Sequence, residues 1–595
     1  MKPTPRFLLT ALSVLALPAA AATGWLYDPG TKTLTETGVA EGATPWVLSC
    51  SASGTSLTLS GVSSAGSDGF LDLSLPVADA GGTPFSIVAT GSDAFKNRTE
   101  IRRLRFADST TSIGTRSFQD CAYLESVELP AALSSIETRG FYGCVRLRTV
   151  EPFLPATVST VGESAFQNCT RLASPLSVGF GTSGGTPVAA TMSGRVFQDC
   201  KALPSVAVGP GVVKLADNLF VGDTSLTNVV LHDAITSIGS SFNGCTALET
   251  VTPLLPASVV AVSAYAFQHC YALSGDLFIA TNGAAATIGG AAFYNARGLT
   301  SATMGDGVAK IDGNTFCGCS SLTRVRLSAN LTSIGSSAFN GCSALESVEP
   351  FLPPNATSIG ENAFTGCTSL RGDLSVAANG GAATIGASAF SNNRGISSVS
   401  LGEGVTKIDG NAFNGCASLT NAVLSPSLAT IGQAAFSGCS ALESVEPFLP
   451  ASVAGIGQNA FSGCTRLAGD LVLDPPAALS IPAGAFYNAQ AISSVSLGTN
   501  VTAVGDNTFQ GLSNVRTFRL ARKPTWKSNS FGGFPNNAVR FIVPIDDADW
   551  TDWISNAANA TPWDGLSDAQ RAAYAAAYPN EPPARALTKA APANQ

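Results

Sequence analysis

Residues 334–352 read IGSSAFNGCSALESVEPFL, and residues 431–449 read IGQAAFSGCSALESVEPFL. The two stretches lie 97 residues apart, and the same offset separates Phe242 from Phe339, Phe267 from Phe364, Phe293 from Phe390 and Phe316 from Phe413. Working outward, one phenylalanine recurs at 19 positions from Phe95 to Phe531, with gaps of 22 to 31 residues. Coils of 23, 25, 26 and 23 residues therefore make a larger repeat of four, and an earlier copy is lengthened by the Gly-rich insertion Gly179 to Gly185.

Each coil has a physical reading. An Ile/Val–Gly pair precedes the phenylalanine, a small Ala often stands beside it, and Gly-Cys often follows. Leu comes three residues after the Cys and opens L-x-x-V-x-L, which alternates with the period of a strand. One coil cannot bury its inward apolar positions alone, but stacked neighbours can. A right-handed parallel β-helix is the main competitor for this pattern. Against it, an L-x-x-V-x-L element followed by a second short apolar stretch, at a period of 22–26 residues, fits a leucine-rich repeat of ~20–29 residues.

At I-G-x-x-A-F-x-G-C-x-x-L-x-x-V-x-L-P the chain resembles the BspA-like leucine-rich repeat family of microbial surface and secreted proteins, over about residues 85–544. The fold expected is a repeat solenoid of about 19 coils with one short parallel β-strand per coil. Leu215-Ala216 before Phe220 and Trp526-Lys527 before Phe531 depart from the motif, which predicts distorted coils there. The resemblance implies extracellular adhesion or host-protein binding, with no catalytic residues.

Composition supports a repeat over several globular domains. The chain has 595 residues, a length that alone suggests about four domains at ~150 residues each. Only 12% of residues are charged and 45% are apolar, which is not the composition of a disordered chain. The net charge of −8 has the wrong sign for neutralising phosphates, so no nucleic-acid partner is expected. With two histidines, His232 and His269, histidine-based metal or acid–base chemistry is not expected.

The segments outside the repeat divide as follows. Residues 1–22 read as a secretory signal: Lys2 and Arg6, an apolar run from Phe7 to Leu17, and an Ala20-Ala21-Ala22 cleavage site. Residues 23–84 are expected to form a β-rich N-terminal cap, 545–579 a small helical C-terminal cap, and 580–595 a disordered tail. No segment is long and apolar enough for a membrane span.

Twelve of the 14 cysteines stand three residues after a repeat Phe. Two runs hold three (Cys319, Cys342, Cys367 and Cys416, Cys439, Cys464), and odd runs cannot pair completely. Ala296, Asn393 or Asp223 takes the slot where Cys is missing. A ladder of buried thiols is the expectation, with oxidation of neighbouring pairs as the alternative. Cys317 and Cys319 lack the further ligands of a zinc site.

Candidate chemistry is sparse. Arg371-Gly372-Asp373 is an RGD tripeptide, but 97 residues away on either side stand Ser274-Gly275-Asp276 and Ala468-Gly469-Asp470, so Gly-Asp reads as framework. Paired acids recur at Glu346 and Glu349 and at Glu443 and Glu446, beside Arg324 and Arg326 one coil earlier. These six are the candidate ligand-binding residues, with weak cross-strand ion pairs expected between the arginines and Glu346 and Glu349. No G-x-S-x-G, phosphate-loop or H-E-x-x-H motif occurs, so neither catalysis nor a cofactor is expected. The expected function is surface binding of an extracellular protein or glycan by a monomer; the alternative is a passive structural or envelope spacer.

Overall fold

The computed structural model describes residues 23–179, 181–183, 186–279, 283–350, 355–376, 382–527, 530, 539–544 and 584–589. The expected signal segment and helical C-terminal cap lie outside the described residues. Among the described residues there is no helix. The chain divides into two compact units, Met1–Ala234 and Ile235–Gln595.

The first unit opens as an antiparallel meander of Gly24–Asp28, Thr33–Thr37, Val47–Ser53 and Ser56–Ser64. Leu34, Leu48, Leu57 and Leu59 alternate inward and are fully buried. Trp25 and Trp46 are also buried, and their indole N–H groups donate to Asp72 O (2.8 Å) and Phe70 O (3.0 Å). Pro84–Thr90 pairs parallel with both Ser56–Ser64 and Ser112–Ile113, so one sheet runs from cap to solenoid without a break. The exposed-face ladder likewise begins inside the cap segment: Phe70–Asp72 pairs parallel with Arg103–Arg105, which pairs with Ser126–Glu128, then Thr149–Glu151.

Each coil thus contributes to two parallel ladders. One is the short strand of L-x-x-V-x-L. The other is the two-residue strand before the Phe bend, such as Ser112–Ile113, Ser135–Ile136 and Thr160–Val161. In the second unit the face strands group in fours. Ser274–Ile279, Gly298–Met304, Arg324–Arg326 and Ser347–Glu349 form one sheet. Arg371–Val376, Gly395–Leu401, Asn421–Val423 and Ser444–Glu446 form the next. These sheets are the 97-residue blocks of the sequence. Each ends at Glu-Pro (Glu349-Pro350, Glu446-Pro447), where proline has no N–H to continue the ladder.

A third set, Gly469–Leu473, Ile492–Leu497, Thr517–Leu520 and Val539–Pro544, carries a fifth strand. That strand is Ala584–Lys589, antiparallel to Val539–Pro544, within the segment 580–595. The last coil leaves an edge of unpaired N–H and C=O groups, and the tail backbone pairs with them.

The core is a column of phenylalanines. Phe95, Phe118, Phe141, Phe166 and Phe197 stack with ring centroids 4.8–5.6 Å apart in the first unit. Phe293, Phe316, Phe339 and Phe364 do the same at 5.1–5.4 Å in the second. These rings are fully buried. The spacing is that of adjacent strands and lies within the range of favourable offset stacking.

The bend that carries each Phe explains the Gly and Asn of the motif. Residues two before and two after the Phe are left-handed, for example Ser337 (φ 55°) and Gly341 (φ 72°) around Phe339. Alternate N–H groups then point to the next coil: Ser337 to Glu361 O (2.8 Å), Phe339 to Ala363 O (2.8 Å), Gly341 to Thr365 O (2.9 Å). The glycine of Ile-Gly serves a different need. A Cβ at Gly335 would stand 2.5 Å from Gly313 N, so the backbones of neighbouring coils approach too closely for any side chain.

Candidate functional site

The cysteine column is structural. Cys342 Sγ donates to Phe316 O (3.1 Å), Cys367 to Phe339 O (3.2 Å), Cys439 to Phe413 O (3.1 Å) and Cys464 to Phe436 O (3.2 Å). The first unit repeats this from Cys121 to Cys200. The thiol therefore satisfies a carbonyl of the preceding coil while filling a small apolar slot. All 14 cysteines are thiols and not disulfides, and all but Cys317 are buried. Burial pushes Cys367, Cys416 and Cys464 up to about 12, which keeps them protonated and unreactive. Among the described residues, no three histidine, cysteine or carboxylate side chains converge as a metal site.

The RGD tripeptide is occupied by structure. Asp373 Oδ1 accepts from Ser397 Oγ (3.0 Å) and Ser398 Oγ (2.6 Å) of the next coil. Asp276 does the same with Thr300 (2.9 Å) and Ser301 (2.6 Å), and Asp470 with Ser493 (3.0 Å) and Ser494 (2.6 Å). Those hydroxyls hold Asp276 and Asp373 below the usual carboxylate range. The aspartate is a staple between coils.

Four of the six candidate residues come together on one sheet. Arg324 and Arg326 project outward from their strand with Val325 buried between them. In the parallel register Arg326 lies beside Glu349 and Arg324 beside Ser347, and Glu346 immediately precedes that strand. Glu443 and Glu446 belong to the next sheet. The expected pairs of Arg324 and Arg326 with Glu346 and Glu349 do not form. Glu346 instead meets Arg371 of the following coil at 2.7 Å, and Glu443 meets Arg466 at 3.6 Å. Arg371 is the neighbour of Glu346 in the next coil, its N–H donating to Glu346 O (3.4 Å), so the two side chains stand side by side. In the first unit, Arg105 and Glu128 hold the same register as Arg326 and Glu349 and do pair, at 2.6 Å. Arg326 and Glu349 are therefore adjacent, exposed and not joined to each other.

The outward row continues beyond them. Phe278 pairs with Thr303, Thr303 with Arg326, and Arg326 with Glu349, across four coils. Phe278 is 54% exposed. An open cavity of about 360 Å³ lies along the row, lined by Thr303, Asp306, Arg326, Leu327 and Pro350. Phe278 was not among the expected site residues. Its signal was available: the same place in the next two blocks holds Ser375 and Val472. The row offers an aromatic face, a guanidinium and a carboxylate in sequence.

A parallel β-solenoid of short strands, a buried Phe and thiol column and a varied outward row define a leucine-rich repeat protein. The BspA type leucine rich repeat region matches six times, over residues 87–175, 189–285, 242–371, 286–419, 349–468 and 446–541. The chain belongs to this BspA-type leucine-rich repeat family. No curated protein matches the sequence. Among solved structures it is similar to a leucine-rich repeat protein from Bacteroides ovatus (19% identity, 78% of this chain and 99% of that one, TM-score 0.44). It is also similar to a leucine rich cell surface protein from Faecalibacterium prausnitzii (22% identity, 68% and 93%, TM-score 0.35). These likenesses concern the fold.

Proposed function

We propose that the chain is an exported, non-enzymatic binding protein whose outward solenoid surface engages an extracellular protein or glycan. The observation that carries this reading is the division of labour in each coil. Stacking is completed by backbone hydrogen bonds, the Phe column and the thiols, so outward side chains such as Phe278, Arg326 and Glu349 bear little of the fold. Membership of the BspA-type family supports the binding role. Export is supported by the sequence of residues 1–22.

A pull-down of extracellular matrix proteins and mucin glycans on the chain from Thr23 tests the proposal. Saturable binding, weakened by Phe278→Ser with Arg326→Val, is the expected result; both replacements come from the equivalent places in the next block. Self-association with no ligand would instead establish the alternative, a structural spacer.

A further inference from the structure

Tyr271, Tyr294 and His269 meet on two adjacent Phe bends of the second unit, and Tyr265 stands in the first of those bends. Tyr271 Oη lies 3.2 Å from His269 Nδ1, and their rings are 5.5 Å apart. Tyr294, from the next coil, packs edge-on to His269 at 5.4 Å. Asn295 Nδ2 reaches His269 Nδ1 at 3.5 Å. The Arg297 guanidinium lies over the Tyr271 ring at 4.9 Å. Tyr265, in the same bend as His269, is 50% exposed, and Tyr271 is 39% exposed.

The duplication supplies a control for what the framework needs here. Where this block has Tyr265, His269 and Tyr271, the two later blocks have Asn362, Gly366 and Thr368, then Asn459, Gly463 and Thr465. Two of the three positions are left-handed: Tyr265 at φ 63° and His269 at φ 60°. Asn and Gly adopt that conformation readily and His is tolerated there, whereas the bulky ring of Tyr265 is an outlier. Folding alone favours the residues of the other blocks. A strained choice that also exposes aromatic surface points to a function.

We infer that this cluster is a glycan-binding site, in which Tyr265 and Tyr271 stack on sugar ring faces and His269, Asn295 and Arg297 supply hydrogen bonds to hydroxyls. The inference rests on the surface-binding reading above and assigns it a place and a ligand class. Size favours a sugar over a protein partner. Tyr271 and Tyr294 each stand 5.4–5.5 Å from His269, so the ring contacts span two coils, about the reach of one or two sugar units. A stable protein interface needs roughly 800 Å² on each side. The corresponding bend residues of the coil after Tyr294's are small and polar: Asn314, Gly318 and Ser320. The aromatic cluster is an island among them. Its interlocked rings and inter-coil backbone bonds hold it in place before a ligand arrives.

The test is binding of the chain from Thr23 to immobilised mucin glycopeptides, intact and after chemical removal of the glycans, measured by biolayer interferometry. The variant is Tyr265→Asn, His269→Gly and Tyr271→Thr together, which restores the framework residues and is expected to melt no lower than the parent. The expected result is binding to the intact glycopeptide, lost on deglycosylation and reduced at least tenfold in the variant. Equal binding by the variant would overturn the site. Binding that survives deglycosylation would overturn the ligand class and leave the surface-binding function standing. Binding to extracellular matrix proteins but to no glycopeptide would do the same. Absence of binding to either would overturn both readings.

Discussion

Asp223 occupies a slot built for a thiol, and replacing it by cysteine should strengthen the first unit in a pH-dependent way. The carboxyl is fully buried, and neither oxygen has a hydrogen-bond partner. Burial pushes its pKa well up, and Asp199 nearby adds to the shift. Cys200, one coil earlier, shows what the slot provides: a thiol donating to Phe166 O at 3.2 Å. The sign follows from proton linkage. Because the folded pKa is raised, the folded state holds the proton more tightly, so stability is fullest below the unfolded value of about 3.9 and falls as pH rises towards the folded value. The slope is at most about 1.4 kcal/mol per pH unit, over the range where the folded protein keeps the proton that the unfolded chain has lost. A thiol at this site carries no such penalty and adds about 1 kcal/mol for its hydrogen bond. The assay is hydrogen exchange by mass spectrometry on peptides covering residues 197–230, at pH 5 and pH 7, corrected for intrinsic exchange. Local opening is the right measure in a solenoid, where coils unfold in part. The wild type should lose up to ~3 kcal/mol of local stability over that interval, about a hundredfold in protection, and Asp223→Cys should lose none. Parallel pH dependence in the two proteins would refute the buried neutral acid.

Further outcomes follow from the same geometry. Asn393 fills the same slot without a charge and is also unpartnered, so Asn393→Cys should stabilise its coil by about 1–3 kcal/mol with no pH dependence, read by the same exchange method. Thiol titration in denaturant should find 14 thiols, whereas in the native protein only half-buried Cys317 should react quickly at pH 8. Phe339→Ala should destabilise its block by about 3–5 kcal/mol, measured by local exchange across residues 316–364, because the ring is buried between two others. Asp373→Ala should loosen the pairing of its strand with Gly395–Leu401 and leave cell attachment unchanged, since the carboxylate already binds Ser397 and Ser398.

Much of the fold is legible because every coil restates it. The Phe spacing gives the coil, the 97-residue offset gives the four-strand sheets, and odd runs of cysteine such as Cys319, Cys342 and Cys367 argue for free thiols. What repeats can be averaged; what occurs once cannot. The partner of Glu346 is Arg371 and not Arg324 because the backbone of Arg371 lies directly beside Glu346, whereas Arg324 stands beside Ser347. The carbonyl that each thiol of the column serves lies 26 to 34 residues earlier, set by how coils stack. The pairing of Ala584–Lys589 depends on an open sheet edge and not on any pattern of its own.

The duplication also indicates where specificity resides. In the three blocks of the second unit, the inward row beside the candidate site reads Leu277, Ala302, Val325, Val348; then Leu374, Val399, Ala422, Val445; then Leu471, Val495, Phe518. These stay apolar because each must fill the space between stacked coils. The outward row one residue on reads Phe278, Thr303, Arg326, Glu349; then Ser375, Ser400, Val423, Glu446; then Val472, Ser496, Arg519. Here aromatic, hydroxyl, aliphatic and charged side chains replace one another at fixed backbone geometry. The ladder hydrogen bonds are made by main chain in either case, so an outward substitution changes the surface at little expense to the fold. A block copied with its core intact can thus acquire a new surface without a new scaffold. A ligand that distinguishes Phe278 from Ser375 would read one block among near-identical neighbours, and exchanging those two side chains should move its binding by one block along the chain.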